Sequence, residues 1–184
     1  MAAVSQAQSD RRILPVDGLR LRPLRSSDEA DFRMAHAVMA AEGFTFGLGY
    51  EPGMPWRVYV DALSAQRRGI VPPGGLVPAT FLVADVGGKI VGRTSVRHVL
   101  NEFLEHEGGH IGYGVLPSYR LRGYATEILR QSLVVARAEG VDLVLITCED
   151  SNAGSAMVIE RCGGILDSVV TSRDGQPTRR YWIA

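Results

Sequence analysis

Apolar and polar residues recur with different periods along the chain, and the changes of period mark the elements. From Ile13 to Leu24 the apolar positions Leu19, Leu21 and Leu24 predict a strand. Ser26-Ser27-Asp28 reads as a helix N-cap, with a helix expected from Glu29 to Ala41. A glycine- and aromatic-rich loop, Gly43 to Pro55, leads to a second helix over Trp56–Arg68, with Val60 and Leu63 on its inner side. Beyond the loop VPPGGLVP, strands are expected over Thr80–Val86 and Lys89–Val99, joined by the tight turn Gly87-Gly88. Another strand runs over Gly109–Leu116.

The second half has an α/β pattern. Ala125, Leu129, Leu133 and Ala136 fall at helical spacing, and Gly140 ends that helix. Val141–Cys148 is apolar almost throughout, as a parallel strand covered on both faces would be. Strand, helix and strand then form a right-handed βαβ crossover. Ser151-Asn152 caps a further helix whose Ser155, Val158, Ile159 and Cys162 share one face, and Gly163-Gly164 stops it. Ile165–Thr171 and Arg179–Ile183 read as a closing antiparallel pair around Arg173-Asp174-Gly175. The order predicts one α/β domain over residues 13 to 184, preceded by a disordered polar tail over residues 1 to 12.

Composition narrows the class. Hydrophobic residues make up 46% and charged residues 22% of 184, ordinary for a globular chain. Lys plus Arg equals Asp plus Glu at 20 each, so no overall field favours nucleic acid or an anionic membrane as partner. No apolar run reaches membrane-spanning length, and MAAVSQAQSDRR lacks the apolar centre of a secretory signal. Cys148 and Cys162 show no metal-ligand spacing, so no metal site is expected, and a reduced, cytoplasmic protein is.

The chemistry concentrates in HIGYGVLPSYRLRGYAT, His110 to Thr126. A strand feeds a turn with Arg120, Arg122 and Gly123 straight into a helix. The first N–H groups of a helix lack intrahelical partners and lie at its positive end, which makes an anion site. Gly123 lets a phosphate approach the backbone, and the two arginines add charge-assisted donors. Reduced to R-x-x-G-x-A, and allowing Gln for Arg and Gly for Ala, the motif recurs by chance in roughly one window in a thousand. Its place between a strand and a helix gives it weight. No Gly-Lys-Ser/Thr follows Gly123, so a nucleotide P-loop is a distant alternative.

With these elements placed, the chain resembles the GNAT superfamily of acetyl-CoA-dependent N-acetyltransferases over nearly everything after the tail. Arg120-Leu121-Arg122-Gly123-Tyr124-Ala125 matches the family's Q/R-x-x-G-x-G/A loop, and Asn152 matches a frequent family Asn. Arg97 to Asn101 (RHVLN) together with GGHIGY also resembles a bacterial subgroup of predicted acetyltransferases. The resemblance implies a three-layer α/β/α fold with a mixed, splayed central sheet and acetyl-CoA as cofactor. Backbone N–H groups from Leu121 to Thr126 would grip the pyrophosphate, and Tyr113, Gly114 and Val115 would line the pantetheine arm. The family carries a bulge in this strand, and Gly112 and Gly114 are its expected place, freeing the N–H of Tyr113, with that of Val115, to polarise the thioester. The alternative is that both glycines relieve crowding.

One position departs from the family. The Tyr that protonates the leaving thiolate in many members corresponds to Ile159, which has no proton to give. His110 and Glu107 are the candidate general bases, against readings as a polar strand end and a solvated turn. Arg97, His98 and Asn101 are candidate acceptor-binding residues, against a structural network in which Asn101 caps a turn. The aromatics of Phe44–Trp56 either wall the acceptor pocket or pack beneath their loop. Direct transfer of acetyl to a small-molecule or peptide amine is the first reading. A silent acyl-CoA-binding or regulatory module is the second. The resemblance also makes a homodimer through the last strands an open expectation.

Overall fold

The computed structural model describes residues 18–71 and 74–184. The first strand, β1 (Leu19–Arg22), is shorter than expected, since Pro23 cannot donate to a ladder. Positions 13 to 17 of that expected strand, and the expected tail, lie outside the described residues. The N-cap expectation at Ser26-Ser27-Asp28 is corrected. These residues make one 3-10 turn, and the Asp28 carboxylate turns back to accept the Arg25 N–H at 2.7 Å and to pair with Arg22. Helix α1 (Glu29–Ala40) therefore starts without a side-chain cap. Helix α2 (Trp56–Arg67) follows the aromatic loop, which folds inward. Phe46, Tyr50 and Trp56 pack around Phe32 of α1 and Tyr59 of α2, so most of the loop aromatics are core.

Strands β2 (Ala79–Val86), β3 (Lys89–Arg97) and β4 (Ile111–Val115) extend β1 into an antiparallel sheet of order β1-β2-β3-β4. Helix α3 (Tyr124–Ala138) puts Ile128, Leu129, Leu133 and Ala136 against one face of it, while α1 and α2 cover the other. Then come β5 (Val144–Glu149), α4 (Ala153–Arg161), β6 (Ile165–Thr171) and β7 (Pro177–Ile183). These last strands form a second sheet, ordered β5-β7-β6. The architecture is the expected three-layer α/β/α one.

The sheet is splayed, as expected, and the splay lies between β4 and β5. The ladder of β5 is antiparallel and belongs to β7. β4 and β5 are joined just ahead of β4, where the His110 N–H donates to Leu145 O at 2.7 Å and the Leu145 N–H donates to His110 Nδ1 at 2.9 Å. Gly109 makes this joint possible. Its φ of 63° and ψ of −179° are open only to glycine, and a Cβ there would stand 2.7 Å from Leu145 O.

The expected bulge in β4 is also corrected. The β3–β4 register runs without a slip from Val96↔Ile111 to Gly92↔Val115. Gly114 is instead explained by crowding, since a Cβ would lie 2.6 Å from the Phe44 ring. Over Gly112 the nearest atoms are guanidinium nitrogens of Arg97 and Arg93, at 3.5 and 3.6 Å. An unbroken β4 still has a free edge, because β5 leaves it after the joint.

Candidate active site

Hydrogen bonds at the two ends of the β3–β4 ladder fix which way each β4 peptide points. Arg97 N–H donates to His110 O at 2.8 Å, and Leu116 N–H donates to Val91 O at 2.9 Å. The two-residue period between them turns Gly112 and Gly114 toward β3 and leaves the N–H groups of Ile111, Tyr113 and Val115 facing away from it. Side chains alternate as well. Ile111, Tyr113 and Val115 pack on the α3 side, while Gly114 faces Met39 and Phe44.

After β4, Pro117–Tyr119 makes one 3-10 turn, and the chain enters α3 through Gly123 at φ 84°. Leu121 takes the left-handed φ of 59° and stands 96% exposed, a strained conformation for a branched side chain. The N–H groups of Tyr124, Ala125 and Thr126 form the first helical turn and have no carbonyl within it. A Cβ on Gly123 would meet nothing within 4 Å, so the space over these donors is open. This arrangement suits a pyrophosphate.

The two loop arginines separate. Arg122 lies over the Tyr119 ring at 5.7 Å, with no carboxylate paired to it among the described residues. Arg120 turns toward its own protein: its Nε donates to Val115 O at 3.1 Å and its Nη2 to Glu42, so its side chain braces β4 to the turn after α1. Asn152 caps α4, its Oδ1 accepting the Ser155 N–H at 3.0 Å.

Ile159 is fully buried in the core between α3, α4 and β5. A hydroxyl that sequence reasoning passed over lies nearby. The Tyr113 side chain crosses from β4 to α4, where its OH sits 3.0 Å from Ser155 Oγ. Burial pushes that phenol up to about 12. Only the strand's alternation, read together with the capped turn at Asn152, could have hinted at this pair.

The base candidates occupy different surroundings. His110 is buried at the joint with Nδ1 taken by Leu145, and burial followed by the neighbouring Arg97 charge pushes its imidazole down. Glu107 lies in the π-helical turn Leu104–Gly108, whose Glu107 carbonyl accepts the Thr147 hydroxyl at 2.7 Å. Its Oε2 accepts the Arg173 N–H at 3.0 Å, while its buried Oε1 makes no hydrogen bond among the described residues and lies 3.6 Å from the Arg173 Nε in an ion pair. The side chain borders a cavity of about 180 Å³ shared with Phe103, Thr147, Glu149, Asp174 and Thr178. Thr147 faces away from the core that takes its neighbours Ile146 and Cys148. A hollow of about 220 Å³ between α2 and β2, lined largely by Leu24, Val60, Leu63 and Phe81, is remote in the fold from this strand edge.

Arg97, His98 and Asn101 do not form one cluster. Arg97 donates to Gly108 O and Gly109 O on the Gly112 side of β3. His98 bonds Thr80 and approaches Glu139, beyond the far end of α3. Asn101 caps the following turn through Leu104 N–H and holds Gly75 O, so the capping alternative describes it.

Known proteins share this fold. The family model described as the acetyltransferase (GNAT) domain matches residues 18–165. The chain belongs to the GNAT acetyltransferase family. It is thus an acetyl-CoA-dependent N-acetyltransferase. An acetyltransferase from Agrobacterium tumefaciens str. C58 is similar at 25% identity and TM-score 0.60, covering 90% of this chain and 91% of that one. The yncA protein of Salmonella typhimurium, solved with its cofactor acetyl-CoA, is similar in fold at 14% identity and TM-score 0.61, over 91% of this chain and 94% of that one. A Salmonella typhimurium acetyltransferase that modifies the N-terminal serine of ribosomal protein L7/L12 shares the fold at 18% identity and TM-score 0.65, over 91% and 95%. No curated protein matches the sequence. Among the described residues no helix is long and apolar enough to cross a membrane.

Proposed function

We propose that this GNAT enzyme transfers acetyl directly to an amine between β4 and β5, with the free edge of β4 as the catalytic surface. The observation that carries this is the pair of outward-facing N–H groups at Tyr113 and Val115, three residues from a closed joint and five ahead of the phosphate-fitting turn. Acetyl-CoA supplies the acetyl group as a thioester. Leu121 to Thr126 hold its pyrophosphate through backbone donors, with Arg122 beside them, and Gly114 and Val115 border its pantetheine arm. The Tyr113 N–H donates to the thioester oxygen as that atom gains charge, a donor placed before the reaction starts.

The Glu107 carboxylate is the better-placed base. Its Oε1 makes no hydrogen bond among the described residues, facing Arg173 only as an ion pair at 3.6 Å, and its side chain borders a cavity, so it can accept the proton the acceptor amine must lose. His110, with Nδ1 engaged and the ring buried, keeps the cleft closed at its base instead. The amine nitrogen forms the new C–N bond, the C–S bond breaks, and the sulfur leaves with the electron pair. Tyr113 OH, held near Ser155, donates a hydrogen bond to that thiolate. A phenol pushed to about 12 keeps its proton beside a thiolate whose ordinary pKa is about 8.5, so its help is electrostatic. Asn152, at the opening of α4, is assigned to the pantetheine side of the same cleft.

The test is acetyl-CoA consumption, followed by thiol release, across a panel of amines. Release that depends on the amine and falls at least tenfold in Glu107→Gln supports the reading. Release independent of any amine, or untouched by the substitution, contradicts it.

A further inference from the structure

The chain buries arginines in two quite different ways. Arg22 lies between two carboxylates, at 2.6 Å from Asp28 and 2.8 Å from Asp85, and its charge is neutralised inside the fold. Arg93 and Arg97, on one face of β3 with Ser95 between them, have no carboxylate paired to them among the described residues. Both guanidinium groups close on one point over Gly112, at 3.5 and 3.6 Å from where its Cβ would be. Arg93 is 4% exposed. Its Nη groups hold Gly112 O and Thr45 O, it lies over Phe44 at 4.5 Å, and its Nε has no partner among the described residues. Arg97 uses only Nη1, on Gly108 O and Gly109 O, so its other side-chain donors are unpaired among the described residues. Burial, and for Arg93 also the neighbouring Arg97 charge, pushes these guanidinium groups down from their usual range.

Two like charges side by side, Arg93 buried and Arg97 half-buried, with only carbonyl oxygens for company are costly, and an anion between them and solvent would relieve that cost. Their position says which anion. Gly112 and Gly114 face the α1 side of β4, opposite the face on which α3 and its phosphate-fitting turn lie. The coenzyme phosphates are therefore on the other side. Gly112 O, held by Arg93, belongs to the peptide whose N–H is that of Tyr113. An anion over Gly112 is thus carried by the acceptor, close to the amine that reacts. A guanidinium fork with a free edge matches a carboxylate through two parallel hydrogen bonds.

We propose that Arg97, backed by Arg93, forms a carboxylate-binding position over Gly112, and that the acceptor is an amino acid or a similar compound bearing a free carboxylate beside its amine. This rests on the acetyl-transfer reading for the identity of the acceptor, though the anion position stands on its own geometry. Gly112 is then kept bare because a side chain there would enter the space between guanidinium and ligand.

The experiment compares the common amino acids with the matching amino-acid amides as acceptors in the acetyl-CoA assay. At least one acid is expected to exceed its amide by about tenfold or more in kcat/KM, the size expected of one charge-assisted pair. Arg97→Gln should erase that preference through KM for the acid, with kcat little altered, and Arg97→Lys should restore part of it. Amides equal to or better than every acid would overturn the proposal. Where no amine turns over, binding of N-acetylamino acids against N-acetylamino acid amides is read by calorimetry on the same protein. Acid-selective binding lost in Arg97→Gln then keeps the carboxylate site while the transfer reading fails. Equal or absent binding of both removes the site.

Discussion

Just before β4, His110 gives its N–H to Leu145 O and takes the Leu145 N–H on Nδ1, so two strands of different sheets are locked together. Three to five residues later, Tyr113 and Val115 point their N–H groups away from β3 into a gap that no described strand fills. Both ends depend on glycine, in opposite senses. Gly109 lets the backbone of β5 come close, whereas Gly123 keeps the space over the helix N-terminus clear. The closed end sets the angle of the cleft, and the open end supplies its donors. Stability and function should therefore separate along a short stretch of chain.

The largest effect is expected at the closed end. Gly109→Val places a Cβ against Leu145 O in a conformation only glycine adopts, and should cost about 3–5 kcal/mol in denaturant unfolding. An unchanged midpoint would mean that the joint does not need the glycine. His110→Ala comes next, at about 1–3 kcal/mol, because the buried Leu145 N–H loses its acceptor.

The same residue gives the joint a pH dependence. Burial lowers the His110 pKa in the folded chain, and likewise that of His36, whose Nδ1 accepts the Gly47 N–H. The unfolded chain then binds more protons below its ordinary histidine pKa of about 6.5, so stability falls as pH drops from there toward the folded values. Asp28 and Asp85 are held below their usual range and add losses only at lower pH. Unfolding midpoints taken from pH 8 to pH 5 should decline, and less steeply in His110→Gln. A flat profile would contradict the buried, neutral imidazoles.

At the open end the effects move from stability to binding. Gly123→Val meets no neighbouring atom, so the expected cost to folding is only the left-handed strain of about 1–2 kcal/mol. Its Cβ and methyl groups would stand where the phosphates approach, and acetyl-CoA affinity by calorimetry should fall at least tenfold. Full affinity would place the pyrophosphate elsewhere. The smallest effect is expected for Tyr113→Phe, which loses the hydroxyl at Ser155. Its kcat should fall about fivefold, the worth of one ordinary hydrogen bond, with KM for acetyl-CoA unchanged. An equal fall in affinity would make that hydroxyl part of binding instead.

What the sequence made legible follows the same division. Local periodicity placed α1, α2, α3 and α4 within one or two residues, because each has a strong apolar face and a clear stop. The phosphate turn was legible because its chemistry is local: a glycine and three orphan donors in consecutive positions. The joint was not, since it depends on Gly109, His110 and Leu145, which are brought together only by the fold and are ordinary in type. The β4 bulge was a misreading of Gly112 and Gly114, whose reasons lie in Phe44 and in two arginines of β3. The Arg120 ion pair was out of reach for a similar reason, as only the fold brings Glu42 on the loop after α1 to its side chain. Ser155 was passed over because only the fold brings it to Tyr113.

The acetyl-transfer reading depends on acetyl-CoA lying along the free edge of β4 and on the turn that follows. Backbone amide resonances, followed while acetyl-CoA is added, read that placement residue by residue. Large shifts are expected at Tyr113, Val115 and Leu121 to Thr126, with His110 and Leu145 nearly still. Shifts concentrated at His110 and Leu145, with the turn unmoved, would contradict it.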